Sequence, residues 1–184
     1  MNIEEQTIIE HCKEGRLGEF EKLYDIYFQK IYNFIYYRTG HKETAEDLTS
    51  KTFIKALDNI KDFKGGNFSA WIYCIARNQV IDQYRAKKNV VDIDKISLGR
   101  EMSSNLDAKN KLKEVSKYLD KIKPEHKEVI IMRVWDELSY REISEIMKKS
   151  EASCKIIFSR AISKLRQEVA MPLLFIILNI YGNG

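Results

Sequence analysis

Apolar side chains recur every three or four residues along most of this 184-residue chain, and the recurrence fails between about Val90 and Leu106. That spacing lines one face of an α-helix, so it predicts amphipathic helices packed on one another. Only two prolines and eight glycines occur, and these are the residues that most disfavour a helix interior. The expected fold class is all-α: two helical domains joined by a flexible linker, the second ending in a helix-turn-helix. The pattern places the first domain at 1–89, the linker at 90–106, the second domain at 107–170 and an apolar C-terminal tail at 171–184.

In the first domain Ile8, Ile9 and Cys12 form a short stripe, Gly15 and Gly18 bracket a break, and Phe20, Leu23, Tyr24, Tyr27, Ile31, Phe34 and Ile35 line a longer helix. A helix from about Lys42 to Ile60 directs Ala45, Leu48, Thr52, Phe53, Ala56, Leu57 and Ile60 inward. Its other face carries Glu46, Asp47, Ser50, Lys51, Ile54, Lys55 and Asp58. One exposed apolar residue is ordinary, but Ile54 among charges of both signs suits a contact patch. Gly65-Gly66 marks a loop over Phe63–Asn67, because paired glycines disfavour helix. A helix over Phe68–Lys88 follows, with Phe68, Trp71, Ile72, Ile75 and Ala76 inward and a basic second half of Arg77, Arg85, Lys87 and Lys88 against Asp82. An exposed aromatic beside a basic helix can hold an unstacked base while cations follow the backbone. Phe68 and Trp71 lie at core spacing, which makes the loop residues Phe63 and Asn67 the better base contacts.

The second domain begins with a helix carrying Leu112, Val115, Leu119 and Ile122, ended before Pro124. Val129, Ile130, Met132, Arg133 and Trp135 belong to the next. Ser139 followed by Glu142 is a capping box opening a third, whose stripe is Ile143, Ile146 and Met147. Lys148-Lys149-Ser150 is a tight turn without the usual glycine, so a left-handed lysine there costs about 1–2 kcal/mol. The last helix buries Cys154, Ile157, Phe158, Ala161 and Leu165, and turns outward Glu151, Ser153, Lys155, Ile156, Ser159, Arg160, Ser163 and Lys164. Short hydroxyls permit close approach to a duplex, and Lys and Arg neutralise phosphates or bond guanine edges. The pattern alone fits either a DNA-reading helix-turn-helix or an ordinary helical hairpin.

Other features narrow the function classes. The 31 Lys+Arg against 27 Asp+Glu leave a net charge of only +4, so the location of charge matters more than its sum. Cys12, Cys74 and Cys154 stand far apart, which reads as reduced thiols in the cytoplasm. Met1–Glu10 mixes acids with isoleucine, unlike a signal peptide. The apolar run Met171–Tyr181 is too short to span a bilayer, so no stable membrane insertion is expected. The sequence holds no phosphate-cradling glycine loop, no Cys/His nucleophile pair and no metal-ligand spacing. The reading is therefore a non-enzyme without cofactors or metal.

Two blocks carry a family resemblance. Ala45-Glu46-Asp47-Leu48-Thr49-Ser50-Lys51-Thr52-Phe53-Ile54-Lys55-Ala56-Leu57 with Phe68-Ser69-Ala70-Trp71-Ile72-Tyr73-Cys74-Ile75-Ala76-Arg77-Asn78 resembles the first domain of the extracytoplasmic-function (ECF) sigma factors of the sigma-70 family. Leu138-Ser139-Tyr140-Arg141-Glu142-Ile143, Lys155, Ser159-Arg160-Ala161 and Lys164-Leu165-Arg166 resemble the second. The likeness covers about residues 8–168 in the same order and with the same gap.

The resemblance implies promoter DNA, the RNA polymerase core (its clamp helices and flap) and an anti-sigma factor as partners. It implies that Asp47, Lys51, Ile54 and Lys55 meet the polymerase. It assigns the −10 element to Phe63, Lys64, Asn67, Trp71, Arg77, Asn78 and Arg85, and the −35 element to Tyr140, Arg141, Ser153, Lys155, Ile156, Ser159, Arg160 and Lys164. The implied function is directing polymerase to specific promoters and assisting −10 melting. The alternative is a stand-alone helix-turn-helix repressor or activator. The chain departs from the family pattern in Cys74, where arginine is common, in Ala152-Ser153-Cys154 for Gly-Thr-Val, and in Ile156-Ile157 for a frequent Ser-Arg pair. Each missing bidentate contact forgoes roughly 1–3 kcal/mol of base discrimination, although Ile156 suits a thymine methyl.

Overall fold

The computed structural model describes residues 3–88 and 122–168, all helices and connecting turns with no strand among the described residues. The chain separates into two compact units, Met1–Lys95 and Ile96–Gly184. The expected linker, the expected helix carrying Leu112 to Leu119, and the apolar tail lie outside the described residues.

The first unit is built from α1 (Ile3–Lys13), α2 (Phe20–Thr39), α3 (Lys42–Asp58) and α4 (Phe68–Lys88), with 3-10 turns at Leu17–Glu19 and Ile60–Asp62. Helices α2, α3 and α4 pack on one another, and α1 lies against α2 and the second 3-10 turn. Leu23, Ile31, Phe34, Ile35, Ile60, Phe68, Ile72 and Tyr73 form the fully buried centre. The α2 stripe of the sequence is therefore the core stripe, apart from Tyr24, whose ring is partly exposed and lies 4.7 Å from that of Phe53. Helix α2 stops where Gly40 turns left-handed (φ 67°) and its N–H bonds back to Tyr36 O, a conformation glycine adopts without a Cβ penalty.

Helix α3 ends at Asp58, two residues short of the expected Ile60, which stays buried in the 3-10 turn. Thr49 joins the buried face, whereas Leu57 is only half-buried. The hydroxyls of Thr49 and Thr52 donate to the carbonyls of Ala45 and Leu48, at 2.6 and 2.7 Å. Two polar side chains thus face the core with their donors satisfied inside their own helix. Buried Arg38 lays its guanidinium 3.5 Å from the Phe34 ring centroid and donates to Phe34 O. The Tyr84 hydroxyl of α4 donates to the Arg38 carbonyl, fastening α4 to the end of α2.

The second unit contains α5 (Pro124–Ile130), α6 (Tyr140–Met147) and α7 (Glu151–Glu168). Pro124 opens α5 at a position where a missing N–H costs nothing. Helix α5 runs on into a π turn at Ile131–Trp135, where a single α-helix was expected. The capping box is formed: Glu142 N–H donates to Ser139 Oγ, and Ser139 N–H donates to the Glu142 carboxylate at 2.8 Å. Helix α7 packs on α5 and α6, burying Val129, Ile130, Met132, Ile143, Ile146, Cys154, Ala161 and Leu165.

Two non-glycine residues bracket α6 in the left-handed region, Glu137 and Lys148, both at φ 54°. Lys148 takes the conformation that the glycine-free turn demanded, and Lys149 N–H then caps Ser144 O at 3.0 Å. Lys148→Gly removes the Cβ strain and keeps the turn. We expect it to stabilise the second unit by roughly 1 kcal/mol after the added unfolded-state freedom of glycine is subtracted. An unchanged or lowered denaturation midpoint of the full chain defeats this.

Candidate polymerase and nucleic-acid interface

Helix α7 follows directly from its burial pattern. With Cys154, Ala161 and Leu165 sealed inside, the opposite face shows Lys155, Ile156, Ser159, Arg160, Ser163 and Lys164 to solvent. Ile156 is 50% exposed in the middle of that face. Ser153 is more restrained: its N–H donates to Ser150 Oγ, and the two hydroxyls lie 2.8 Å apart. Ser150 thereby caps α7, and Ser153 belongs to the cap as much as to the outward face. Lys149 pairs with Glu125 of α5 at 2.9 Å, tying the turn before α7 back to the unit's first described helix.

Tyr140, the first residue of α6, lies at the meeting of three segments. Its ring meets Phe158 of α7 edge-on at 6.0 Å. Lys155 Nζ lies 5.7 Å from the ring centroid and the Arg133 guanidinium 5.3 Å from it, both within cation–π reach. Arg133 also donates to Leu138 O at 3.1 Å across the left-handed Glu137. Sequence reasoning placed Arg133 in a helix and gave it no role in the site; only the π turn and the reversal at Glu137 bring it to Tyr140. Arg141 is exposed and 3.7 Å from Glu145 on the solvent side of α6.

His126 of α5 lies close to this cationic face. Burial lowers its pKa below the ordinary 6.5, Lys123, Lys164 and Arg160 lower it further, and Glu125 opposes them. Protonating His126 would add charge beside Lys123, Lys164 and Arg160.

In the first unit, Asp47 and Lys51 form an exposed pair at 2.7 Å one turn before Ile54. Ile54 is 61% exposed and Lys55 is exposed beside it. These four expected polymerase contacts therefore share the solvent side of α3. On α4, Trp71, Asn78 and Arg85 recur at seven-residue intervals and so share a helix face with Cys74. Asn78 and Arg85 are exposed, Trp71 is half-buried, and half-buried Arg77 lies to one side.

The loop before α4 is arranged differently from expectation. Phe63 is 5% exposed; its ring packs edge-on to Phe68 at 5.6 Å and lies 5.2 Å from Trp71, with Lys13 of α1 beside it. The chain turns Phe63 inward after the 3-10 turn, and Gly65 and Gly66, at φ 86° and 94°, reverse it only afterwards. The ring is thus packed in the core and not held out to solvent as the loop reading expected. Asn67 accepts the Ala70 N–H on its side-chain oxygen at 3.2 Å, capping α4. Of the three expected loop contacts, Lys64 is exposed, whereas Phe63 is buried and Asn67 half-buried.

Comparison with known proteins identifies the family of the chain. Residues 23–90 match the family model for Sigma-70 region 2, and residues 112–165 match Sigma-70, region 4. RNA polymerase sigma factor YlaC of Bacillus subtilis is 34% identical over 157 residues, covering 81% of this chain and 91% of that protein. The ECF RNA polymerase sigma factor BldN of Streptomyces coelicolor is 32% identical over 169 residues, covering 86% of this chain, which spans 63% of that relative's length. The chain belongs to the ECF sigma factors of the sigma-70 family.

The fold agrees: the sigma factor RpoE of Bartonella quintana, solved with the anti-sigma factor NepR, has a TM-score of 0.65 at 23% identity, covering 81% of this chain and 95% of that one. In this sigma factor the region 2 match takes in α2 from Leu23, α3 and α4, and the region 4 match takes in α5, α6 and nearly all of α7. Helix α1 lies before both. Among the described residues no helix is long and apolar enough to cross a membrane.

The depressed His126 gives region 4 a pH signature. The stability it contributes is complete above the unfolded-state value of 6.5, and it is lost as pH falls through the lowered folded value, because the unfolded chain binds the proton first. His126→Gln is expected to flatten the fall in stability over that interval. Parallel wild-type and mutant curves of stability against pH would rule His126 out as the cause.

Proposed function

We propose that this sigma factor directs RNA polymerase core to promoters by gripping the enzyme with α3 and the DNA with α4 and α7. Supporting this is one arrangement seen in both units: each core seals one stripe of its helices and leaves an outward set that its own packing does not use. On α3 that set is Asp47, Lys51, Ile54 and Lys55, with an apolar centre and a charged rim suited to a protein partner. On α7 it is Lys155, Ile156, Ser159, Arg160 and Lys164, with Arg141 of α6 beside it, suited to phosphates and base edges of the −35 element.

Lys64 of the loop, with Trp71, Asn78 and Arg85 of α4, forms the −10 strand path, and Arg77 lies at its margin. Asn67 shapes the loop by capping, and Phe63 supports it from the core. The domain boundaries follow the pattern of the sequence: a −10 and polymerase unit over 1–89, a tether over 90–106, a −35 unit over 107–170 and an apolar tail over 171–184. The polymerase supplies the chemistry, and this chain supplies recognition and melting in the cytoplasm. By analogy with the Bartonella factor bound to NepR, we assign it an anti-sigma partner. A stand-alone repressor or activator has no use for a region 2 unit, and that reading is not favoured.

The test is reconstitution with purified core polymerase and run-off transcription. Ile54→Glu places a charge in the apolar centre of the α3 face while leaving the region 2 core intact. It is expected to reduce retention on immobilised core at least tenfold with an unchanged melting profile; full retention removes α3 from the interface. Arg160→Ala is expected to lower transcription from −35-dependent templates about five- to a hundredfold, matching the loss of a direct base contact of roughly 1–3 kcal/mol, and to spare templates lacking a −35 element. An equal loss on both templates would contradict the assignment of α7.

A further inference from the structure

We propose that Tyr140 is a positioning residue for −35 recognition: its ring holds Lys155 and Arg133 ready for the DNA backbone, and its hydroxyl is not the contact. This rests on the assignment of α7 to the −35 element. Three observations carry it. Lys155 Nζ and the Arg133 guanidinium both lie within 6 Å of the Tyr140 centroid, at 5.7 and 5.3 Å. The ring itself is fixed, edge-on to Phe158 and at the first turn of a helix closed by a capping box. Arg133 is held a second time through Leu138 O.

An exposed lysine ordinarily samples many rotamers and loses that freedom when it meets a phosphate. Here the electron-rich ring face attracts the ammonium before any DNA arrives, so part of that loss is met in the free protein. The same ring gathers Arg133 from the π turn and Lys155 from α7 at one place, and two cations so placed suit adjacent backbone phosphates. Tyr140 thereby links the two ends of region 4's turn structure to the charge that α7 presents.

The experiment measures holoenzyme binding to duplex promoters with and without a −35 element across a salt series. It compares wild type, Tyr140→Phe, Tyr140→Leu, Lys155→Ala and the Tyr140→Leu/Lys155→Ala double variant. Phenylalanine keeps the ring face, and Tyr140→Phe is expected to bind as wild type does. Leucine keeps an apolar contact with Phe158 but loses the quadrupole. Tyr140→Leu is expected to weaken −35-dependent binding about two- to fivefold, the size of one exposed cation–π contact, and to make the salt dependence shallower. Lys155→Ala should then add little in the Tyr140→Leu background.

Loss in Tyr140→Phe equal to that in Tyr140→Leu overturns the proposal in favour of a hydroxyl contact. Full additivity of Tyr140→Leu and Lys155→Ala overturns it in favour of two independent contacts. If Lys155→Ala by itself leaves −35 dependence unchanged, the assignment of α7 fails, which is a separate result. Should Tyr140→Leu not fold, proton NMR of the free wild-type factor decides: Lys155 side-chain methylenes shifted upfield by the ring support the proposal, and unshifted ones overturn it.

Discussion

Each long helix among the described residues has one apolar stripe, and burying that stripe leaves no choice about which residues remain outside. This single constraint produces both the stability and the function. In region 2 the α2, α3 and α4 stripes close on Phe34, Phe68 and Tyr73, and the surface left over on α3 contains Ile54. In region 4 the α5, α6 and α7 stripes close on Met132, Ile143 and Cys154, and the surface left over on α7 contains Ile156 between cations. An apolar side chain on such a face contributes nothing to its own core. Its exposure on such a face suits a contact patch and not the core of its own unit.

The connecting turns carry as much specification as the helices. Helix α6 is only eight residues long, too short to persist without tertiary packing. Its ends are set by a capping box on one side and by left-handed Lys148 on the other, with Glu137 reversing the chain just before it. The Lys149–Glu125 pair at 2.9 Å adds a tie from the turn to α5, but as a solvent-exposed pair it guides geometry more than it stabilises. Lysine at the left-handed position forgoes the ease of glycine and keeps a cation near the entry to α7.

Much of the fold was legible in the sequence because it is written in periodicity. The stripes of α2 and α4, the Ser139–Glu142 box, the left-handed turn at Lys148-Lys149 and the exposed Ile54 all follow from local spacing. Thr49 was left out of the inward stripe although it lies one turn after Ala45, as Thr52 lies one turn after Leu48, and its hydroxyl is satisfied by the Ala45 carbonyl. Phe63 was misplaced for a different reason. Adjacent glycines signal a loop, but the 3-10 turn before them, not the glycines, decides that its ring faces Phe68. Arg133 could not be found at all, since a helical register carried through Trp135 does not foresee a π turn.

The sequence by itself determined the helices, their buried faces, the presence of two family blocks and the residue types each outward face would offer. Those are local properties, set by the 3.6-residue repeat and by capping chemistry within a few positions. Only the tertiary structure decided that Phe63 packs from within against Phe68 and Trp71, and that Arg133, Tyr140 and Lys155 come together. Each of those outcomes depends on where separate segments meet in space, and a periodic pattern along one segment carries no information about the direction in which the next one leaves it.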